Sequence, residues 1–322
     1  MSKEYETVIG LEVHVELATK TKIFCGCSTS FGGAPNTHTC PVCTGMPGSL
    51  PVLNKQVVEY AIGVGLATNC SITQYCKFDR KNYFYPDLPK AYQISELNFP
   101  IVLAGEVPIE YEENGEKKKK SIRINHIHLE EDAAKINHYA TTSGVDFNRG
   151  GTPLMEIVGM PDLASADEAM EDLQKLREIL VYAGVSDCNL EDGNMRSDVN
   201  VSLRPEGSDK LGTKVEIKNM NTFKGIHAAL EFEIARQTAL LESGGAVVQE
   251  TRRWDDAKGA SYAMRSKEDA QDYRYFPEPD LPPIVISKEW KERGRTSLPE
   301  FREEKRARYA REYEIPAYDI EI

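Results

Sequence analysis

The ten residues Val8–Leu17, VIGLEVHVEL, decide how the rest of the chain is read. Ile9, Leu11, Val13, Val15 and Leu17 fill the odd positions, and Gly10, Glu12, His14 and Glu16 fill the even ones. A period of two marks a half-buried strand, whereas a helix would scatter the same residues around its barrel. Glu12, His14 and Glu16 therefore project side by side from one face of a sheet. Exposed strands usually carry Thr, Lys or Ser, and three consecutive groups able to bind a metal or a proton are more than solvation needs. A wet strand face accounts for one such triplet on its own, so recurrence has to decide.

The pattern recurs. In NHIHLEED, His126, His128 and Glu130 alternate with Ile127 and Leu129. Strict alternation sends Glu131 to the opposite face unless a bulge re-aims it, so Glu130 and Glu131 both stay candidates. TPLMEIV puts Glu156 among aliphatic residues. NMRSDVNVSLRP lines up Arg196, Asp198, Asn200 and Ser202, and KVEIKN lines up Lys214, Glu216 and Lys218. Two helices are expected as covers. One runs from Asn54 to Thr68 behind an Asn54 N-cap, and the other from Ser165 to Ala183, with Ser165 and Glu168 at capping-box spacing and Gly184 as the stop. The fold class is α+β: a mostly antiparallel sheet with helices on one face and a charged second face.

Four cysteines follow the opening strand. Cys25 and Cys27 form a C-x-C knuckle, and Cys40 and Cys43 form a C-x-x-C knuckle twelve residues later, across a stretch rich in Gly, Pro, Asn and Thr. Four soft thiolates close a zinc tetrahedron and leave no position for water, so this zinc-knuckle loop, 25–43, is structural. A redox C-x-x-C belongs at a helix N-terminus, and Pro41, Gly45, Pro47, Gly48 and Pro51 keep this segment in loops. Cys70, Cys76 and Cys188 receive no role.

Composition narrows the classes. At 322 residues the chain can bury a sizeable core. It has no run of ~18 apolar residues and no signal-peptide pattern, and an odd count of seven cysteines suits a reducing compartment; the expectation is a cytoplasmic protein with no membrane contact. A formal charge of −12 argues against a general nucleic-acid-binding surface. Lys117–Lys120, after Asn114-Gly115, reads as a solvated hairpin. KFDRKNYFYPDLPKAYQIS, 77–95, interleaves Lys77, Arg80, Lys81 and Lys90 with Phe78, Tyr83, Phe84, Tyr85 and Tyr92, a composition suited to stacking on a base while cations hold phosphates, or to covering a core edge. Gly63-Val64-Gly65 lacks the preceding strand and third glycine of a dinucleotide site, and GSDKLGTK, 207–214, has Thr and Lys in the wrong order for a P-loop. Carboxylates and imidazoles binding a hard divalent cation beside Lys and Arg are the apparatus of metal-assisted phosphoryl transfer.

GLEVHVEL, FGGAPNTHTCPVCTGMPGSLPVLN, KFDRKNYFYPDLPKAYQIS, HLEEDAAK, NRGGTPLMEIV, SDVNVSLRP, GTKVEIKNMN and DYRYFPEPDLPP, in this order over nearly the whole chain, resemble the B subunits of glutamyl-tRNA(Gln)/aspartyl-tRNA(Asn) amidotransferases. The resemblance implies a fold similar to glutamine synthetase and the guanido kinases. It also implies ATP-dependent phosphorylation of the side-chain carboxylate of a mischarged Glu-tRNA(Gln) or Asp-tRNA(Asn). Ammonia made by a glutaminase A subunit then attacks the acyl phosphate, in a heterotrimer with a small C subunit. Carried over by motif, Glu12, His14 and Glu131 look like the Mg²⁺ site with Glu130 beside it, and Lys81 and Asp198 look like further catalytic residues. Lys81 and Tyr83, with Arg204 and Lys214, are the candidates for holding ATP. Cys25, Cys27, Cys40 and Cys43 match the zinc knuckle that some members carry.

Members of the family continue past residue 322 into a helical domain and a tail that grips tRNA. Residues 1–293 are therefore expected to be the catalytic cradle, and 294–322 the start of the helical domain, most of which is absent here. Two other readings remain open: a zinc-knuckle scaffold without chemistry of its own, and a ligase acting on a free amino acid as glutamine synthetase does.

Overall fold

The computed structural model describes residues 5–113, 115–266 and 272–320. The chain opens with β1 (Tyr5–Glu16), runs through the cysteine loop and enters α1 (Lys55–Ala67). Short strands β2 (Ser71–Ile72), β3 (Tyr75–Cys76), β4 (Asp79–Asn82) and β5 (Tyr92–Ser95) precede a long hairpin of β6 (Val102–Glu113) and β7 (Glu116–Glu131). A small hairpin, β8 (Lys135–His138) and β9 (Ser143–Asp146), leads to β10 (Pro153–Gly159), α2 (Ala166–Tyr182), β11 (Met195–Pro205) and β12 (Val215–Lys218). Then come α3 (Phe223–Glu242), β13 (Glu250–Asp255), β14 (Ala260–Ser266), β15 (Phe276–Pro277), β16 (Ile284–Val285), α4 (Lys288–Ser297), α5 (Arg302–Tyr313) and α6 (Ala317–Ile320).

The strands form one large sheet in the order β14-β13-β12-β11-β1-β10-β7-β5-β4-β15, with β6 on β7 and β2 on β6. Its pairs are antiparallel except β12 with β13. The opening strand lies near the centre, between β10 and β11. Its odd residues Ile9, Leu11, Val13 and Val15, with Leu17 just beyond the strand, are buried in one core with Val57 and Ile62 of α1, Leu173 and Leu176 of α2, and Ile226 and Leu230 of α3. The expected division into an apolar, helix-covered face and a polar face is present.

Local chemistry explains the helix boundaries. The Asn54 side chain accepts from the Gln56 amide at 2.9 Å, and Ser165 Oγ accepts from the Glu168 amide at 3.1 Å. Glu168 closes its turn differently from a standard capping box: its carboxylate accepts from the Ala164 amide at 2.8 Å and pairs with Lys120 at 2.7 Å. A Cβ on Gly65 would sit 2.6 Å from Ile72 and 2.9 Å from Val102, so this glycine lets α1 close on β2 and β6. Close packing, and not a nucleotide, accounts for Gly63-Val64-Gly65.

Lys117–Lys120 lie at the start of β7, where Lys119 pairs with Glu110 and Lys118 with Glu113 across the hairpin. They form a solvated, internally balanced ribbon. The boundary at 293/294 falls inside α4, and α5 is tied to α2 by Arg302 on Glu178 at 3.0 Å and Lys175 on Glu303 at 3.2 Å. Among the described residues no helix is long and apolar enough to cross a membrane.

Candidate metal and phosphate site

Register builds the site. In the antiparallel ladder His14 stands opposite Glu156 of β10 on one side and Arg196 of β11 on the other, and Glu156 stands opposite His128 of β7. Side chains directly opposite each other share a face, so His128, Glu156, His14 and Arg196 form a row across four strands. Two residues along β1, on the same face, Glu12 stands opposite Asp198.

The row closes around Glu156. Its carboxylate lies 3.3 Å from His14 Nε2 and 3.1 Å from His128 Nε2, and His128 Nε2 is 3.8 Å from Glu130. Ligand atoms of His14, Glu130 and Glu156 all lie within 4.8 Å of one another. Burial alone would raise the Glu156 pKa, but the hydrogen bonds from His128 and His14, with their charges, hold it well below the ordinary carboxylate range. The imidazoles answer in kind. Burial pulls both down, yet the carboxylates win, raising His14 and pushing His128 up to about 10. His128 Nδ1 is buried and has no partner among the described residues. Two carboxylates and an imidazole converging this closely fit a divalent cation, which would displace the protons that now hold the cluster together.

Glu12 belongs to a neighbouring group. Its carboxylate accepts from Asn200 Nδ2 at 2.9 Å and lies with Asp198 and Glu216 in a second cluster whose ligand atoms are mutually within 4.8 Å. Lys218 neutralises part of it, bonded to Asp198 and 3.1 Å from Glu216. The candidate Mg²⁺ residues are thus distributed over two adjacent clusters on one face, His14 with Glu130 in the first and Glu12 with Asp198 in the second. Glu16, two residues along β1 from His14 in the other direction, lies beside Asp132 and Arg196. Burial and the Asp132 charge raise its pKa to about 7.

Glu131 points elsewhere. It bonds Lys90 and accepts from the Ile94 amide at 2.9 Å, lining a cavity of about 110 Å³ shared with Lys22, Cys25 and Cys43. The β10–β7 register slips between Ile124 and His126 but runs unbroken from His126 to Glu131, so no bulge brings Glu131 round to His14. Lys81 of β4 is held between two phenols, 5.7 Å from the Tyr83 ring and 4.9 Å from the Tyr273 ring. The Tyr83 and Tyr275 hydroxyls are both pushed above the ordinary range, first by burial; nearby acids, Asp87 for Tyr83 and Glu130 for both, add to it. β4 pairs with β5, and β5 with β7 at Glu130, so Lys81 lies two strands from the cluster. Arg204 stands opposite Glu6, six residues along β1 from Glu12, and is engaged with it at 2.7 Å, while Lys214 is exposed ahead of β12.

Glu156, Tyr273 and Tyr275 are the residues that sequence reasoning did not place in the site. A lone Glu among aliphatic residues carries no periodic signal, although its strand position was legible. The tyrosines come from a loop about 190 positions beyond Lys81 and are brought to it by the β15–β4 pairing and by the Asn82 amide, which donates to the Tyr273 carbonyl at 2.9 Å.

The four loop cysteines also converge, their sulfurs within 4.8 Å of one another. A zinc tetrahedron with ~2.3 Å bonds spaces sulfurs about 3.8 Å apart, and Cys40 and Cys43 stand at 3.9 Å. The Cys40 amide points at Cys43 Sγ, 3.3 Å away. The loop is docked on the segment after β9 by paired amides: Asn36 with Asp146 and Phe147, and His38 with Asn148.

The α+β sheet gathers carboxylates, imidazoles and lysines on the face opposite its helices. The family model of the GatB/GatE catalytic domain matches residues 7–292. The aspartyl/glutamyl-tRNA(Asn/Gln) amidotransferase B subunit of Agathobacter rectalis is 64% identical over 322 residues, covering 99% of this chain and 67% of that protein. The proteins of the same name from Lachnospira eligens and Caldicellulosiruptor saccharolyticus are 62% and 59% identical, each covering 99% of this chain and 66% of the relative. The chain belongs to the GatB/GatE catalytic domain family, and it spans about two thirds of the length of these curated relatives.

Proposed function

We propose that this chain carries the ATP-dependent step of a tRNA-dependent amidotransferase. It activates the side-chain carboxylate of mischarged Glu-tRNA(Gln) or Asp-tRNA(Asn) for amidation by ammonia from a glutaminase A subunit, in a heterotrimer completed by a C subunit. The observation that carries the reading is the pair of clusters on one sheet face, His14/Glu130/Glu156 and Glu12/Asp198/Glu216, flanked by Lys81 and Lys218. A carboxylate cannot expel oxide, but its acyl phosphate expels phosphate, so a site for this reaction has to hold a nucleotide's phosphates against a carboxylate.

Mg²⁺ at His14, Glu130 and Glu156 would neutralise phosphate oxygens and supply the charge compensation of phosphoryl transfer. The chain's own groups do the rest. Lys81, held by two rings and without a carboxylate partner among the described residues, offers its ammonium to a transferring phosphate. Arg196 of β11 and Lys218 of the neighbouring β12 balance the acids and orient them. Glu130, not Glu131, is the carboxylate we assign to the cation. Relationship of the sheet to glutamine synthetase, a cradle spanning 1–293 and a helical domain beginning near 294 belong to the same proposal.

The test is ADP formation by the chain assembled with its A and C subunits, with and without mischarged tRNA. Glu156→Gln is expected to abolish both Mn²⁺ binding and tRNA-stimulated ADP formation while glutamine hydrolysis survives. ADP formation driven by free glutamate would instead favour the free amino acid ligase. Full transamidation by Glu156→Gln would leave only the scaffold.

A further inference from the structure

Lys22 is the largest fully buried side chain among the described residues, with 0% of its surface exposed, although it ends in an ammonium. Its Nζ donates to the carbonyl of His38 at 2.7 Å, to the carbonyl of Phe147 at 3.0 Å and to Cys43 Sγ at 3.8 Å. Among the described residues no carboxylate lies within ion-pair distance of it. A lysine is almost never left in this state, because a desolvated charge costs several kcal/mol unless an opposite charge faces it. Two carbonyl dipoles could be satisfied by a neutral donor and do not explain a full positive charge. Glu131 lines the same cavity but is engaged by Lys90, which leaves the four-cysteine cluster as the group facing the ammonium. When a zinc ion is bound by four thiolates, the group carries two net negative charges in a half-buried loop, and those charges need compensation as much as the ammonium does.

Resting on the zinc reading of Cys25, Cys27, Cys40 and Cys43, we propose that Lys22 is the buried counter-charge of the thiolate cluster. It acts through Cys43 and sets how tightly the loop holds its metal. Position supports the pairing. Lys22 begins the turn that carries Cys25 and Cys27, its backbone amide donating to the Cys27 carbonyl at 2.9 Å. Its ammonium then crosses to the other knuckle, so one side chain spans both halves of the site. Gly151, in the left-handed region at φ +85°, packs beside the pair: a Cβ there would stand 3.5 Å from Lys22 and 3.6 Å from Cys43, in ordinary van der Waals contact with both. Groups that orient or balance metal ligands in this way typically account for 10–100-fold in affinity.

The experiment measures Zn²⁺ affinity of the purified chain by competition with a chelator, for wild type, Lys22→Met and Lys22→Arg, alongside thermal unfolding of zinc-loaded and metal-free protein. Lys22→Met is expected to weaken Zn²⁺ binding at least tenfold, and Lys22→Arg to stay within about threefold. The stability order should also cross over. Metal-free Lys22→Met should outlast metal-free wild type, because a lone buried charge has been removed, whereas zinc-loaded Lys22→Met should melt earlier than zinc-loaded wild type. A purely structural role would lower both. In Co²⁺-loaded protein the thiolate-to-cobalt charge-transfer band should move to longer wavelength when the ammonium is gone. If Lys22→Met does not fold, Lys22→Gln, which keeps donors for both carbonyls without the charge, carries the same readouts. Wild-type protein that takes up no zinc removes the zinc reading itself. Wild-type protein that binds zinc while the neutral variants bind it equally well, with the band unmoved, overturns the assignment of Lys22 alone.

Discussion

Two adjacent carboxylates, Glu130 and Glu131, part company at the end of β7, and the difference is set by the pleat. Consecutive strand residues face opposite ways, so Glu130 joins His14 and Glu156 while Glu131 meets Lys90 on the other side. Alternation made this choice legible, whereas motif resemblance favoured Glu131; the backbone follows alternation. Glu130→Gln is therefore expected to lower Mn²⁺ affinity by at least about tenfold, and Glu131→Gln to leave it within about twofold, as read by calorimetry. The reverse ranking would return Glu131 to the metal. Lys81 poses a second question at this scale, because its ammonium is positioned by rings and not by an acid. Cation–π contacts of this kind contribute about 0.5–2 kcal/mol. Tyr273→Phe keeps the ring and should keep the KM for ATP, while Tyr273→Leu should raise it several-fold with Mn²⁺ binding unaffected. Equal KM values for both variants would show that the Tyr273 ring does not hold Lys81.

Among the elements, β1, the end of β7, β10, β11, β12, α1 and α2 were readable because their signals are local, whereas two-residue strands such as β2, β3, β15 and β16 are too short to carry a pattern. The hydroxyl and carboxyl groups that cap α2 and the alternation of β1 and β11 are local chemistry. α3 was not readable in this way: its inward face is interrupted by Glu233 and Gln237, both 0% exposed. Their burial is offset by partners: Arg236 hydrogen-bonds Glu233, Arg252 lies 3.8 Å from it as an ion pair, and Gln237 donates to the Val201 carbonyl at 3.2 Å; two of these three partners lie far away in sequence. α2 holds a comparable exception in Asp172, which is buried against the sheet and has one carboxyl oxygen without a partner among the described residues. Burial pushes its pKa up to about 7 from the ordinary 3.8. An acid whose folded pKa is raised stabilises the fold below its unfolded pKa, and that contribution is lost as pH rises through the folded value. Wild-type stability should thus fall between about pH 4 and pH 8, with Asp172 supplying up to ~4 kcal/mol of the fall. Asp172→Asn removes this part, so urea denaturation should show the variant gaining on wild type across that window. A gap that stays constant with pH would mean that Asp172 is ionised in the fold, held by a partner or by water.

For the whole molecule, charge separates what the sheet can do from what a tRNA partner requires. The clusters that hold the proposed cation and nucleotide come from strands and a loop between Tyr5 and Tyr275, all but the first two of these residues within the family's catalytic domain. A chain with a formal charge of −12 has little to offer a polyanion at long range, and the Lys117–Lys120 run is largely balanced by Glu110, Glu113 and Glu168. Affinity for a nucleic-acid backbone grows with the number of phosphates neutralised by Lys and Arg, and so does the steepness of its salt dependence. We therefore expect residues 1–322, assembled with the A and C subunits, to show the same affinity for Mg²⁺ and ATP as the longer Agathobacter rectalis relative assembled in the same way. Affinity for mischarged tRNA should be lower by on the order of tenfold or more, equivalent to at least ~1.4 kcal/mol. The salt slope should be shallower as well, because fewer counterions are released. Titrating tRNA at two salt concentrations into both assemblies measures each quantity. Equal affinity with an equal slope would place the tRNA grip on this domain after all, and loss of ATP binding in the shorter chain would show that the nucleotide site extends beyond the sheet.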